Sequence, residues 1–302
     1  MKEHPMKRSL KLAAVAATLA LGLTACGSGG GDAEAELGTP ENPVRIGTVS
    51  AGEPYWETFK SAVEAEGISV ELVNFTDYSQ PNPALSEGEI HLNQFQHIIF
   101  LAQYNEASGE DLQAVGSTAT YPLALYSNEF DSPEAIPDGE TVIVPNDETN
   151  QARALLVLQS VGLIELADGG SPYSTLNDIE DSSRVKVEAV DAALTASSLV
   201  DVAAAIINND FVTDAGLTAE DAIAQDDPSD PSTQPYVNIW ATSADQVDNP
   251  VFAQIIEIYH GNQEVIDGVL ESSGNTAEIV DLPAADLNTT LADVQTAYTE
   301  AQ

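Results

Sequence analysis

From residue 44 onward the apolar positions switch repeatedly between two periods, and the switching predicts alternating strands and helices. Residues 44–49 form a short apolar run that reads as a strand. Over 55–66, Trp56, Phe59 and Val63 recur at helical spacing, which places them on one face, and Gly67 supplies the stop. Strands over 69–75 and 90–95, a short helix over 83–86 and a helix over 97–107 continue the pattern. Further strands fall at 114–115 and 121–126. A second unit opens near Ser127, with a strand over 141–144, a helix over 148–161 ending at Gly162, a strand over 185–190 and a helix over 194–208. An acidic, Pro-rich loop over 226–235 leads to a strand over 236–241, and helices over 250–270 and 287–301 finish the chain. Alternation of this kind folds as α/β layers. We read two lobes, the first made of residues 44–126 and 237–302, the second of 127–236. The chain then crosses between lobes near residues 126 and 237. Two short crossings make a hinge, and a ligand cleft between the lobes is the expected consequence.

The part before residue 44 is different in kind. Lys2, Lys7, Arg8 and Lys11 precede or open an apolar stretch over 12–23 that is too short to span a bilayer, so residues 1–25 read as a secretory signal. The signal ends in Leu23-Thr24-Ala25-Cys26, which resembles the bacterial lipobox. There the cysteine is lipidated on sulfur and becomes the new N-terminus. The alternative is an ordinary cleavage site that happens to precede a cysteine. Cys26 is the one cysteine of the chain, and a lone thiol in an exported protein has no pairing role. Residues 26–43, rich in Gly, Ser, Ala, Asp and Glu, read as a flexible tether.

Charge narrows the function classes. The chain has 49 acidic and 9 basic residues, a formal net of −40. Nucleic acid is excluded as a partner on this ground, because binding it needs clustered Lys and Arg. Arg45, Lys60, Arg153, Arg184 and Lys186 are the cations left once the signal is removed. So acidic a surface repels itself at low ionic strength.

One of those cations sits in an informative place. In the run from Val144 to Leu156 a strand ends, a Pro145-Asn146-Asp147 turn follows, and a helix begins, with Asp147 as a good N-cap. Arg153 is then close to a helix N-terminus, against the macrodipole. The arrangement makes sense if an anion is held there by helix N–H groups and the guanidinium together. The alternative is a surface Arg paired with Glu148 or Asp147. In a second stretch, Phe75, Tyr78 and Phe95 can supply apolar walls and His97 a polar handle, or else core packing and a helix cap. Asn208 reads as the end of the 194–208 helix, where Asn is a common C-cap. Asn238 lies inside a strand, where Asn is depleted and a buried amide must be hydrogen-bonded.

Taken together these segments resemble the MetQ/NlpA family of methionine-binding lipoproteins of ABC importers. The resemblance is carried by Phe75-Thr76-Asp77-Tyr78, Gln80-Pro81-Asn82-Pro83-Ala84-Leu85, Phe95-Gln96-His97, and the run from Val144 through Arg153 to Leu156. Gln159 to Ile164, Ala205-Ile206-Ile207-Asn208 and Tyr236-Val237-Asn238 complete it. It implies a periplasmic-binding-protein-like fold and a substrate-binding protein that delivers L-methionine or a related molecule to an ABC permease driven by its ATPase. It implies a membrane anchor through lipidated Cys26. It also implies that Arg153 pairs with the ligand carboxylate, that Asn208 and Asn238 hold the polar head group, and that Phe75, Tyr78 and Phe95 line the side-chain pocket beside His97. Asn150, in the same turn as Arg153, is a further candidate. A thioether suits aromatic walls of this kind.

The chain departs from the family at two places. Gln96-His97-Ile98-Ile99-Phe100-Leu101 stands where the family has Gln-His-Lys-Pro-Tyr-Leu, so Phe100 lacks the hydroxyl of the family's Tyr at that position of the site. Ala192 to Ser197 lacks the Gln and Arg of a Gln-Leu-Pro-Arg-like run. Both changes make the site less polar, and a methionine derivative, a methionine dipeptide or another apolar amino acid fits such a site too. A surface lipoprotein acting in adhesion or signalling has the same sequence features. No nucleophile elbow, His-Glu-x-x-His, cysteine-based site or phosphate-cradling Gly loop occurs, so no enzyme is expected. Along an extended strand at roughly 3.3 Å per residue, His91 and His97 stand about 20 Å apart, too far to share an ion. No metal and no other cofactor is expected.

Overall fold

The computed structural model describes residues 36–301. The signal peptide, Cys26 and the first part of the tether lie outside the described residues. In chain order the strands are β1 (Val44–Thr48), β2 (Val70–Asn74), β3 (Leu92–His97), β4 (Leu112–Ser117), β5 (Ala119–Thr120), β6 (Ala124–Tyr126), β7 (Thr141–Pro145), β8 (Lys186–Val190), β9 (Ala204–Ile207), β10 (Ala224–Gln225), β11 (Asn238–Ser243) and β12 (Glu278–Ile279). The α-helices are α1 (Pro54–Ala65), α2 (Pro81–Ser86), α3 (Ile98–Ser108), α4 (Glu148–Ser160), α5 (Ala192–Ser198), α6 (Pro250–Gly261), α7 (Gln263–Ser272) and α8 (Ala284–Ala301).

Two five-stranded sheets result, in the orders β2-β1-β3-β11-β4 and β10-β6-β9-β7-β8. The first is parallel through β2, β1 and β3, and β11 returns antiparallel between β3 and β4. The second is parallel through β8, β7 and β9, with β6 antiparallel at its side. Each sheet is the centre of one α/β lobe, as the alternating pattern predicts. Helix α1 shows why the elements form where they do. Pro54 starts it at a position that needs no N–H, and Trp56, Phe59 and Val63 are fully buried. Trp56 and Phe59 meet Trp240 of β11 at centroid distances of 6.0 and 5.7 Å. The edge-on geometry of the Trp pair adds to the area it buries. Gly47 of β1 is required by packing: a Cβ there would lie 2.9 Å from the ring of Phe75.

Several elements differ from the sequence reading. Residues 194–208 are not one helix. Helix α5 ends at Ser198, and Ala204–Ile207 is strand β9, buried along its whole length. An uninterrupted apolar run has no period that separates a central parallel strand from a buried helix. The 250–270 helix is two, because Asn262 breaks it and caps α7 by accepting hydrogen bonds from Glu264 N and Val265 N. The chain leaves the first sheet earlier than residue 126: β6 pairs with β9 and β10 in the second. The end of the tether is also held. Gly38 N donates to Asn42 O, Ser69 N donates to Gly38 O, and Leu37 packs on the core around Trp56 and Phe59. One apolar residue in a polar stretch is enough to dock it, and composition alone does not show that. Among the described residues no helix is long and apolar enough to cross a membrane.

Candidate functional site

The strand ends of both sheets and the helix starts that follow them converge on one place, where α/β sheets bind ligands. Strand β3 ends at His97, which caps α3: Phe100 N donates to His97 Nδ1 at 3.2 Å. That bond sets the tautomer, because Nδ1 must then be the acceptor and Nε2 carries the proton. Nε2 lies 3.2 Å from Asn150 Oδ1 and donates to it. Burial, with the charge of Arg153 adding, pushes His97 down to about 3, so the ring is neutral at ordinary pH.

Asn150 comes from the first turn of α4, where Asp147 is the N-cap as its sequence position predicts. Asp147 Oδ1 accepts from both the backbone N and the side-chain Nδ2 of Asn150. With Nδ2 committed, Asn150 Oδ1 faces two donors, His97 Nε2 and Asn208 Nδ2, the latter at 3.0 Å. The chain Asp147–Asn150–Asn208 therefore orients the last amide, and its Oδ1 is buried with no hydrogen-bond partner. A buried acceptor of this kind costs about 1–3 kcal/mol while unpaired. Asn208 stands just past the end of β9, not at a helix C-terminus, and it precedes a 3-10 turn over Asn209–Ala215.

Arg153 is in the second turn of α4 and is 5% exposed. Its partner is neither Glu148 nor Asp147. Nε donates to Asp226 Oδ2 at 2.7 Å and Nη2 to Asp226 Oδ1 at 3.1 Å, and Nη2 also donates to Tyr121 O at 2.8 Å. The guanidinium stacks over the Tyr236 ring, 4.4 Å from its centroid. Tyr121 lies on the outward crossing between the sheets, Asp226 and Tyr236 on the return. One side chain thus ties both crossings to the second lobe. Nη1 makes no hydrogen bond to any described residue.

The walls are aromatic. Tyr78 meets Phe95, Phe100 and Phe211 at 5.9, 6.2 and 5.1 Å between centroids. Phe95 and Phe100 meet at 5.7 Å. The Tyr78 hydroxyl donates to Asp210 Oδ2 at 2.7 Å, joining the two lobes. A cavity of about 40 Å³ lies at this place, with Tyr78, Phe95, His97, Phe100, Asn150, Arg153, Asn208 and Asn238 all in its wall. Of the residues singled out from the sequence, Phe75 is not among them; it packs instead against the core around Ala84, Leu85 and Ile90. Asn238 is the first residue of β11 rather than an interior one, and its backbone O accepts from Thr118 N at 2.8 Å.

The sequence reading missed Asp210, Asp226, Tyr121, Tyr236 and Phe211. Asp226 and Tyr236 flank the acidic, Pro-rich loop, where nothing local separates one carboxylate from its neighbours. Among the described residues no group of three or more His, Cys, Asp or Glu could hold a metal ion.

Two α/β lobes closed over a polar cavity with aromatic walls define a two-lobed binding protein. The NlpA lipoprotein family model matches residues 44–280, so the chain belongs to that family, one of binding proteins rather than enzymes. The chain is 39% identical over 228 residues to the D-methionine-binding lipoprotein MetQ of Salmonella typhi, covering 74% of this chain and 83% of that one. Its fold is similar to the substrate-binding protein of a methionine transporter from Streptococcus pneumoniae, with a TM-score of 0.73, 36% identity, and coverage of 79% of this chain and 95% of that one. It is also similar to a nutrient-binding protein from Burkholderia cenocepacia whose structure holds methionine, with a TM-score of 0.72, 32% identity, and coverage of 78% and 99%.

Proposed function

We propose that this protein is the substrate-binding component of an ABC importer, capturing methionine or a close relative outside the membrane and presenting it to a permease served by an ATPase. The observation that carries the reading is that Asn208, with a buried, unpaired Oδ1, and Arg153, whose Nη1 has no partner among the described residues, line one aromatic-walled cavity between the lobes. An acceptor lacking a donor and a cation with a spare N–H edge are complementary to an amino acid's ammonium and carboxylate. Asn238 adds a second amide in the wall. Tyr78, Phe95 and Phe100 offer the ring contacts that a thioether favours.

Capture proceeds by closure. The ligand joins groups from both lobes, and the closed form is the one the permease meets. Cys26, acylated after signal removal, holds the protein at the membrane. More than one acyl chain is needed for stable anchoring. Calorimetry with L-methionine, D-methionine and leucine tests the ligand class. The reading expects a methionine isomer to bind at least tenfold more tightly than leucine, and binding of none of the three sinks it. Labelling with radioactive palmitate, lost in Cys26→Ser, tests the anchor.

A further inference from the structure

The C-terminal helix belongs to one lobe and touches the other. Leu287, Leu291 and Val294 of α8 are buried in the core that α3 shares with β11 of the first sheet. Gln295 Nε2 donates to Glu106 Oε1 at 2.9 Å and Thr299 Oγ1 to Glu106 Oε2 at 3.3 Å, so the last turns of α8 are fastened to α3. From there Tyr298 reaches the second lobe at two points. Its hydroxyl donates to Glu148 Oε2 at 2.8 Å, and its ring meets the Tyr173 ring edge-on at 6.1 Å between centroids. Both partners are tied to α4. Glu148 is its first residue, directly after the Asp147 cap and two positions before Asn150. Tyr173 sits in the segment that follows α4. Gln159 of the last turn holds that segment by donating to Gly169 O and accepting from Leu166 N, both at 2.8 Å. Glu148 also stands at the rim of the cleft. With Asp147 from the second lobe, and Tyr78, Phe100 and Gln103 from the first, it lines an open pocket where the lobes face each other. The bonds His97–Asn150 and Tyr78–Asp210 join the lobes through residues that line the cavity at Arg153; Tyr298–Glu148 joins them outside its wall.

We propose, resting on the reading of this chain as a binding protein that closes on its ligand, that Tyr298 is a positioning residue for capture: it clasps α8 to the start of α4 and biases the lobes toward the closed arrangement without touching the ligand. A hydrogen bond between the lobes is lost when they part, so whatever it contributes falls entirely on the closed side of the equilibrium. An exposed bond of this kind contributes little to overall stability. Its effect falls on release, because a ligand held between two lobes leaves only after they separate, and affinity differences among variants of one site lie mostly in the dissociation rate. Burial, then the bond to Glu148, pushes Tyr298 up to about 12, with Gln103 of α3 acting against the rise, so the phenol keeps its proton and remains the donor at ordinary pH. The clasp acts on the helix turn that carries Asn150 and leads into Arg153, which is how a residue near the end of the chain can govern the site.

Stopped-flow release of a methionine isomer from the full chain tests this. Tyr298→Phe keeps the ring against Tyr173 and loses the donor, and it should speed release about threefold with the association rate unchanged. Glu148→Ala should do the same, and the two changes together should add nothing further, because they remove one bond. Glu148→Gln keeps an acceptor and should release at close to the unaltered rate. An unchanged release rate in Tyr298→Phe, additive effects in the double variant, or a slowed association that marks general loss of structure overturns the proposal and leaves the proposed function standing. If the protein binds neither methionine isomer, the proposed function fails and small-angle X-ray scattering decides the clasp by itself. A larger radius of gyration in Tyr298→Phe than in the unaltered protein supports it, and matching curves overturn it.

Discussion

Asp226 and Asp210 are both carboxylates at the margin of one cleft, and they stand in opposite circumstances. Asp226 meets a guanidinium in bidentate geometry and also accepts from Leu123 N at 2.8 Å. Asp210 meets one phenol. Arg153 itself commits Nε and Nη2 within the protein and leaves only Nη1 without a partner among the described residues, and that corner holds the crossings between the lobes in place. Around Asp210 no described residue supplies a cation. The lesson is that two carboxylates in one cleft can have opposite surroundings, one answered by a cation and one not, and that residue type does not tell which is which.

The sharpest way to break the contrast is to remove the guanidinium. Arg153→Ala should lower the unfolding free energy by about 3 kcal/mol, because a pair buried on one side loses its partner and leaves Asp226 uncompensated. Urea titration measures it, and a loss under about 1 kcal/mol would deny the side chain its hold on the crossings. Next is Asn150→Ala, which strands the donors of His97 and Asn208. It should weaken methionine binding by about 2 kcal/mol, the range for losing hydrogen bonds to buried polar groups. Calorimetry showing unchanged affinity would separate the network from the site.

The Asp210 corner predicts a pH effect. Its folded pKa, about 6, is raised above the ordinary carboxylate value, so the folded state holds a proton that the unfolded chain has given up. Stability from this group is therefore fully present below about pH 4 and is lost as the pH rises through about 6, by about 1 kcal/mol per pH unit between the two. His91 and His97, pushed down to about 4 and about 3 chiefly by burial, act with the opposite sign, since protonation below the ordinary His value favours the unfolded chain. The difference between the unaltered protein and Asp210→Asn isolates the carboxylate, and a pH-independent difference would contradict it. The smallest effect expected is for Tyr78→Phe. It should cost about 0.5–1.5 kcal/mol and move the Asp210 titration upward, since the lost hydrogen bond favours the ionised form. Carbon-detected NMR of the carboxyl follows the midpoint.

Much of this was legible along the chain, and the reason is that periodicity and capping are local. Trp56, Phe59 and Val63 at helical spacing placed α1, and Asp147 after a Pro-Asn turn placed the start of α4. Arg153 and Asn238 stood out because their types are wrong for their local positions unless something answers them. What only the tertiary structure decided is who answers. Asn208 follows a strand and not a helix, because the apolar run before it takes its conformation from the sheet that receives it. The pairing of Arg153 with Asp226 spans 73 positions, Phe75 turned to the core rather than the cleft, and Asp210 became a cleft group through a tyrosine 132 positions away. Contacts at such separations are set by how two sheets pack, and no window along the chain contains them.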